Sequence, residues 1–232
     1  MKFNDLLSLL GISCNDEIEN KFQKYYSKLI EVNEYMNLTA ITDKDEVYCK
    51  HFYDSLTILK ALGELSNIKL CDVGSGAGFP SVPLAIVRDD IDVTIIDALN
   101  KRINFLNDLA GLLELDNVHA YHKRAEDFQK DNRESFDVVT ARAVARLNVL
   151  AELCIPLVKI GGLFIAMKGQ DGKLELDEAK NSINILGGKL KEVISLELPD
   201  NHGKREIIVI EKIKECPKKY PRAFAKIKER PL

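Results

Sequence analysis

Three glycines at alternate positions, Gly74, Gly76 and Gly78, follow the apolar segment 70–73. A strand that opens into such a loop brings bare backbone close to a nucleotide cofactor. The dinucleotide fingerprint has its third glycine one position later, where this chain has Phe79. The loop therefore lacks the pattern expected for a pyrophosphate, and it predicts a cofactor with a nucleoside and no phosphate.

An acid ends the next apolar segment. Asp97 lies 23 residues after Gly74, where a carboxylate can accept hydrogen bonds from ribose hydroxyls. The alternative is an N-cap for the following helix. The loop and the acid together favour the ribose contact, and S-adenosylmethionine is the common cofactor with these properties. The sequence therefore predicts binding of S-adenosylmethionine.

Further candidates end the later strand patterns. Ala125 and Glu126 offer a backbone N–H and a carboxylate that could read an adenine edge, or they form the acidic first turn of a helix. Arg142 and Lys168 are positioning candidates, since an arginine at a strand end binds a carboxylate or an RNA phosphate. Many class I methyltransferases that act on exocyclic amines carry a D/N-P-P-Y/F motif at this strand end. This chain has no such motif, which argues against amino methylation. No spacing of His, Cys or Ser predicts a metal site or a general base, so no catalytic residue is assigned.

The elements that must position these residues fall into two regimes. Residues 1–66 predict helices, one of about 20 residues after the N-cap Asn15 and a second starting after Thr42. From residue 67 strands and helices alternate, which predicts a doubly wound α/β sheet with an antiparallel last strand. The strands are predicted at 68–73, 92–97, 117–122, 136–141, 161–168, 190–198 and 205–212. The helices are predicted at 80–88, 100–114, 147–158 and 172–186.

We expect a helical extension (1–66), a catalytic domain (67–215) and a basic tail (216–232). The tail carries a net charge of +5 in a chain of net charge −3. It is interpreted as a solvated, partly disordered terminus, with an RNA clamp as the alternative. No apolar run reaches the roughly 18 residues of a membrane span, and the scattered cysteines suit a reducing compartment, so a cytoplasmic location is expected. The RNA-binding candidates are Lys101, Arg102, Arg146, Lys168, Lys219 and Arg222.

Together these motifs resemble one family, the bacterial small-subunit (16S) rRNA guanine-N7 methyltransferases, RsmG or GidB. The matching segments are 37–41, His51 with 54–56, 72–80, Asp97 with Lys101 and Arg102, 125–126, 142–143, 168–169 and 219–222. The resemblance implies a class I methyltransferase fold, with S-adenosylmethionine contacts at Gly74, Phe79, Ala125, Glu126 and Arg142. It also implies a substrate, 16S rRNA or an assembly intermediate of the small subunit, and no obligate protein partner is evident.

The implied reaction accounts for the missing base, because guanine N7 has a free lone pair and no proton to lose. Two alternative functions agree less well with the sequence. A nicotinamide-dependent oxidoreductase is disfavoured by Phe79, which stands where the third dinucleotide glycine belongs. A ribosome-assembly binder that uses only the basic tail would have no need of the glycine loop and Asp97.

Overall fold

One seven-stranded sheet organises the computed structural model, which describes residues 1–232. The strands are β1 Lys69–Val73, β2 Asp92–Asp97, β3 Val118–His122, β4 Phe136–Arg142, β5 Val158–Lys168, β6 Gly188–Glu197 and β7 Lys204–Lys212. Their order across the sheet is β3-β2-β1-β4-β5-β7-β6, and β7 runs antiparallel to both of its neighbours. The predicted strand number and the reversed last strand are confirmed.

Eleven α-helices surround this sheet. They are α1 Phe3–Ser8, α2 Asp16–Met36, α3 Lys44–Val47, α4 Asp54–Leu56, α5 Leu59–Leu62, α6 Ser81–Val87, α7 Asn100–Leu112, α8 Ala125–Asn132, α9 Leu147–Cys154, α10 Gly172–Ile185 and α11 Phe224–Glu229. Short 3-10 turns at Ile155–Leu157 and Pro199–Asn201 and a π-helical turn at Tyr48–Tyr53 complete the set. None of the helices combines the length and the apolar character that a membrane span requires.

The predicted long helix near the N-terminus is α2. Asn15 caps it by accepting a hydrogen bond from the Ile18 backbone N–H at 2.8 Å. Phe22, Tyr25 and Leu29 are buried on its apolar face, as the spacing of four and three residues predicts.

The second N-terminal helix is not continuous, which corrects the sequence prediction. Asp43 caps its start by accepting from the Glu46 N–H at 3.0 Å. The chain then widens into the π-helical turn between α3 and α4. A π-turn shifts the backbone hydrogen bonds by one residue and is frequent at functional sites. Here the carbonyl oxygens of Lys50 and His51 accept hydrogen bonds from the guanidinium of Arg142.

Two hydrophobic clusters fill the two faces of the sheet. Successive residues of β4 alternate between them, with Val138 in one cluster and Val139 in the other. The first cluster joins α2 and the segments around the π-turn to α6 and α7. The second contains α9, α10 and part of the tail. The N-terminal helices thus share a core with the sheet, while the domain boundaries at 66 and 215 stay a prediction.

The basic tail is folded onto the body, so its interpretation as a solvated terminus is wrong. Cys216, Tyr220 and Ile227 are buried in the second cluster. The guanidinium of Arg133 donates to the carbonyl oxygens of Cys216 at 2.6 Å and of Tyr220 at 2.8 Å. The composition of the tail predicts solvation because its charged residues outnumber the three residues, Cys216, Tyr220 and Ile227, that are buried.

Candidate active site

A cavity of about 620 Å³ opens at the carboxyl ends of β1, β2 and β4. Ligands bind at this edge in doubly wound sheets, near the point where the strand order reverses. Seven of the eight predicted cofactor residues line the cavity, namely Gly74, Gly76, Phe79, Asp97, Ala125, Glu126 and Arg142. Leu38 and Thr39 from the N-terminal segment and Phe224 from the tail also line it, and sequence reasoning did not identify them as site residues.

Gly78 is the predicted cofactor residue that does not line the cavity. It is buried at a φ of 101°, and a Cβ there would lie 2.8 Å from both the Tyr25 hydroxyl and the Val82 side chain. The Tyr25 hydroxyl donates to the Ala77 carbonyl at 2.5 Å. The third glycine therefore allows α2 to approach the loop closely, which is a packing role.

The residues of the cavity fit a nucleoside ligand. Gly74 and Gly76 adopt positive φ values of 79° and 62°, which leave the loop backbone bare. Ser75 lines the cavity, and its buried hydroxyl has no hydrogen-bond partner in the protein. A buried hydroxyl without a partner costs free energy until a ligand or a water satisfies it.

Asp97 is 4% exposed at the end of β2. One carboxylate oxygen accepts from the Leu99 N–H at 2.8 Å, and the other lies 3.2 Å from an Arg102 nitrogen. Each carboxylate oxygen has a further lone pair, which ribose hydroxyls can use. Asp97 is not the N-cap of α7, since Leu99 occupies that position.

Ala125 and Glu126 both line the cavity and begin α8. The two alternatives drawn from the sequence are therefore compatible. A helix start presents free backbone N–H groups, and its acids lie in the first turn.

Arg142, at the end of β4, is held by four acceptors from the π-turn region. Its Nη1 donates to the Ser55 hydroxyl at 2.7 Å and to the His51 carbonyl at 3.2 Å. Its Nη2 donates to the Lys50 carbonyl at 2.9 Å and to His51 Nδ1 at 3.1 Å. The guanidinium also lies 5.4 Å from the centre of the Phe79 ring. Arg142 thus fixes the cavity wall where the glycine loop meets the N-terminal helices.

These contacts determine the protonation of His51. Because a guanidinium only donates, Nδ1 is the acceptor and carries no proton. The proton lies on Nε2, which donates to the Thr39 hydroxyl at 2.7 Å. Burial and the nearby Arg142 charge lower the His51 pKa to about 4. His51 is neutral at pH 7 with both nitrogens engaged, so it does not serve as a general base.

A second cavity of about 450 Å³ adjoins the first. The two cavities share Arg142, Ala143 and Val144. Lys168 lines the second cavity and donates to the Ala145 carbonyl and the Glu175 carboxylate, both at 2.7 Å.

The structure separates the six predicted RNA-binding cations. Arg146 and Lys168 both line the second cavity. Arg102 lies at the first, paired with Asp97. Lys101 and Lys219 are exposed elsewhere on the surface. Arg222 is engaged within the protein by Glu152, which removes it from the free cations.

Asp72 lies beneath the glycine loop and is fully buried. The Ser81 hydroxyl donates to one of its oxygens at 2.6 Å, and the other oxygen has no partner. Burial raises the Asp72 pKa to about 7. The native state therefore holds this proton more tightly than the unfolded chain, and the associated stability is lost as the pH rises from about 4 through about 7.

Asp72→Asn should remove this pH dependence. Between pH 5 and pH 8, the free energy of unfolding of the wild type should fall by about 3 kcal/mol relative to that of the variant. Chemical denaturation at both pH values measures this change. Asp90→Asn is the matched control, because Arg88 lowers the Asp90 pKa to about 2 and the carboxylate stays ionised over this range. A constant difference between Asp72→Asn and the wild type would contradict the prediction.

The order of the strands and the glycine loop beside Asp97 define a class I methyltransferase. TrmN from Thermus thermophilus shares the fold with a TM-score of 0.55 at 17% identity, over 70% of this chain and 49% of that one. TYW2 from M. jannaschii, solved in complex with AdoMet, has a TM-score of 0.54 at 18% identity, over 69% and 77%.

Sequence comparison specifies the family. The model of GidB, rRNA small subunit methyltransferase G, matches residues 18–207, and the chain belongs to this family. "Ribosomal RNA small subunit methyltransferase G" of Staphylococcus saprophyticus is 55% identical over 93% of this chain and 91% of that protein. The Streptococcus gordonii protein of the same name is 52% identical over 100% and 98%. The family predicted from the motifs is confirmed.

Proposed function

We propose that this protein transfers a methyl group from S-adenosylmethionine to N7 of a guanine in the 16S rRNA of the small ribosomal subunit. The observation that carries the proposal is the pair of adjoining cavities, which meet at the Arg142–Val144 wall. One has the residues of a nucleoside site, and the other is lined by cations that suit RNA. The names of the relatives support the rRNA substrate, and a cytoplasmic location follows from it.

The cofactor would lie in the first cavity. Asp97 would accept from the ribose hydroxyls, while Ala125 and Glu126 would read the adenine edge. The unpartnered Ser75 hydroxyl and the bare backbone of Gly74 and Gly76 would offer further polar groups to the cofactor. Arg142 lines the same cavity, and its four Nη hydrogen bonds go to the protein. Its role is to position the loop through Phe79.

Attack by guanine N7 requires no base, because N7 has a free lone pair and no proton to lose. When bound, the cofactor would supply an electrophilic sulfonium methyl group, and guanine N7 would accept it through its free lone pair without transferring a proton. His51 stays neutral and engaged throughout. The protein therefore contributes alignment of the base with the methyl group and a fixed electrostatic environment.

Cations of the second cavity suit the RNA side of the reaction. Lys168 uses two of its three N–H groups on Ala145 and Glu175, so one remains for guanine O6 or a phosphate. Arg146 is exposed and pairs with Glu178, a contact that an RNA phosphate can replace at the surface.

Two measurements test the proposal. Calorimetry should show binding of S-adenosylmethionine and none of NAD, because the loop lacks the pyrophosphate pattern. Chemical-cleavage mapping of rRNA from a deletion strain should show the loss of one N7-methylguanosine, restored by the wild-type gene. An unchanged methylation pattern would favour the ribosome-assembly binder instead. Tight NAD binding would favour the oxidoreductase.

A further inference from the structure

The second cavity holds a buried acceptor that nothing in the protein satisfies. Asp54, at the start of α4, is 3% exposed and lines this cavity. Its Oδ2 accepts from Arg205 Nε at 3.0 Å and lies 3.5 Å from Arg142 Nη2. Its Oδ1 is buried and has no hydrogen-bond partner. A buried carboxylate oxygen of this kind is a site for a donor from outside the chain.

Because nearby charges compensate the Asp54 carboxylate, its Oδ1 can accept a hydrogen bond from a neutral donor. Two arginines already compensate the carboxylate from the Oδ2 side. A ligand at Oδ1 therefore need not bring a positive charge, and a neutral N–H group suffices. Lys168 lines the same cavity, so the site combines a carboxylate acceptor with a cationic donor.

Guanine carries the complementary groups, namely donors for the carboxylate and an acceptor for the lysine. Its Watson–Crick edge carries the 2-amino group and N1–H as donors, with O6 as an acceptor beside them. Adenine has a C2–H and an unprotonated N1 at the corresponding positions, so it would leave the carboxylate unsatisfied. Proteins read unpaired RNA bases by such contacts to the Watson–Crick edge.

We propose that Asp54 determines the base specificity of this enzyme by accepting a hydrogen bond from the 2-amino group of the target guanine in the second cavity. The inference rests on the proposed function. The cavity volume of about 450 Å³ lies within the range of small-molecule sites, about 300–1,000 Å³. The shared wall at Ala143 and Val144 places the base next to the cofactor cavity. Asp54 is thus a specificity residue, and Arg205 positions it.

Inosine tests this assignment, because it keeps N7, N1–H and O6 and lacks only the 2-amino group. Small subunits or rRNA would be rebuilt with a synthetic strand carrying guanosine or inosine at the target position. Methyl transfer from radiolabelled S-adenosylmethionine gives kcat/KM for each. The wild type should prefer guanosine by roughly 10- to 100-fold, as expected for a hydrogen bond to a charged acceptor.

Asp54→Asn should remove this preference. The amide oxygen of the variant is needed by Arg205 and Arg142, so its NH2 group faces the cavity and meets the donors of guanine. The ratio of kcat/KM for guanosine over inosine should fall to about one. Ser55→Ala is the matched control, because it removes a contact of Arg142 without touching the carboxylate. It should slow both substrates alike and keep the wild-type ratio.

Several results would overturn the assignment. Equal methylation of both substrates by the wild type would exclude a contact to the 2-amino group. If Asp54→Asn keeps the wild-type ratio of kcat/KM for guanosine over inosine, then Asp54 contacts only the two arginines and does not read the base. If that variant is too unstable to assay, Asp54→Glu keeps the charge, displaces the oxygens by one methylene, and should still lower the ratio at least several-fold. Failure of the proposed function is distinct, since the wild type would then methylate neither RNA.

Discussion

Replacing Arg142 with alanine is expected to lower kcat/KM for methyl transfer by at least about 100-fold while the chain stays folded. The guanidinium joins β4 to the π-turn through four hydrogen bonds and lies over the Phe79 ring. Without it, the carbonyl groups of the π-turn lose their donors and the wall shared by the two cavities loses its support. An error of about 1 Å in alignment is enough to cost about 100-fold in rate.

Arg142→Lys separates the charge from the geometry. A lysine has three N–H donors on one nitrogen, so it cannot satisfy four acceptors arranged around a planar fork. We therefore expect most of the loss in this variant too. Steady-state methyl transfer gives the rates, and circular dichroism and thermal unfolding give the state of the fold. Near-normal activity of Arg142→Lys would show that the positive charge suffices and that positioning is not the role of Arg142.

The sequence predicted those parts of the site that are local along the chain. The glycine loop, Asp97 and the start of α8 each lie at or just beyond the carboxyl end of a strand, so strand patterns place them at one edge of the sheet. The parts it missed depend on contacts between distant segments. Arg142 and His51 are 91 residues apart, and no periodicity in either segment indicates that they meet.

The π-turn and Gly78 illustrate the same limit. A helical pattern of apolar residues runs through 44–62 and predicts one helix, because the spacing of side chains is silent about a locally widened backbone. The third glycine matches a cofactor pattern, yet its close neighbour is Tyr25 on α2. In both cases the packing of the N-terminal helices against the sheet decides the local structure.

One feature of the sequence indicates that a basic segment packs onto the body, namely a single acid within an apolar helix. Glu152 lies within α9 among leucines, valine and alanine, and it is 0% exposed. Buried carboxylates are paired or hydrogen-bonded. The sequence contains many basic partners, however, and only the structure shows that Arg222 is the one used.

Arg222→Ala should lower the free energy of unfolding by about 3 kcal/mol. The Arg222 side chain donates to Glu152 at 2.8 Å and 2.6 Å, and its removal leaves the carboxylate fully buried without a cation. Lys226→Ala, at an exposed position on the same tail, is the control and should stay within about 0.5 kcal/mol of the wild type. Urea denaturation measures both. A loss below about 1 kcal/mol in Arg222→Ala would mean that the pair does not hold the tail.

The same variant should weaken the binding of S-adenosylmethionine. Phe224, two residues after Arg222, lines the first cavity, so a tail that detaches from α9 removes part of the wall of the proposed cofactor site. Calorimetry at 25 °C, where the variant remains folded, should show a higher Kd for Arg222→Ala and an unchanged Kd for Lys226→Ala. An unchanged Kd in a destabilised Arg222→Ala would show that the tail does not contribute to cofactor binding. A raised Kd would assign the basic tail a role in closing that site as well as in stabilising the fold.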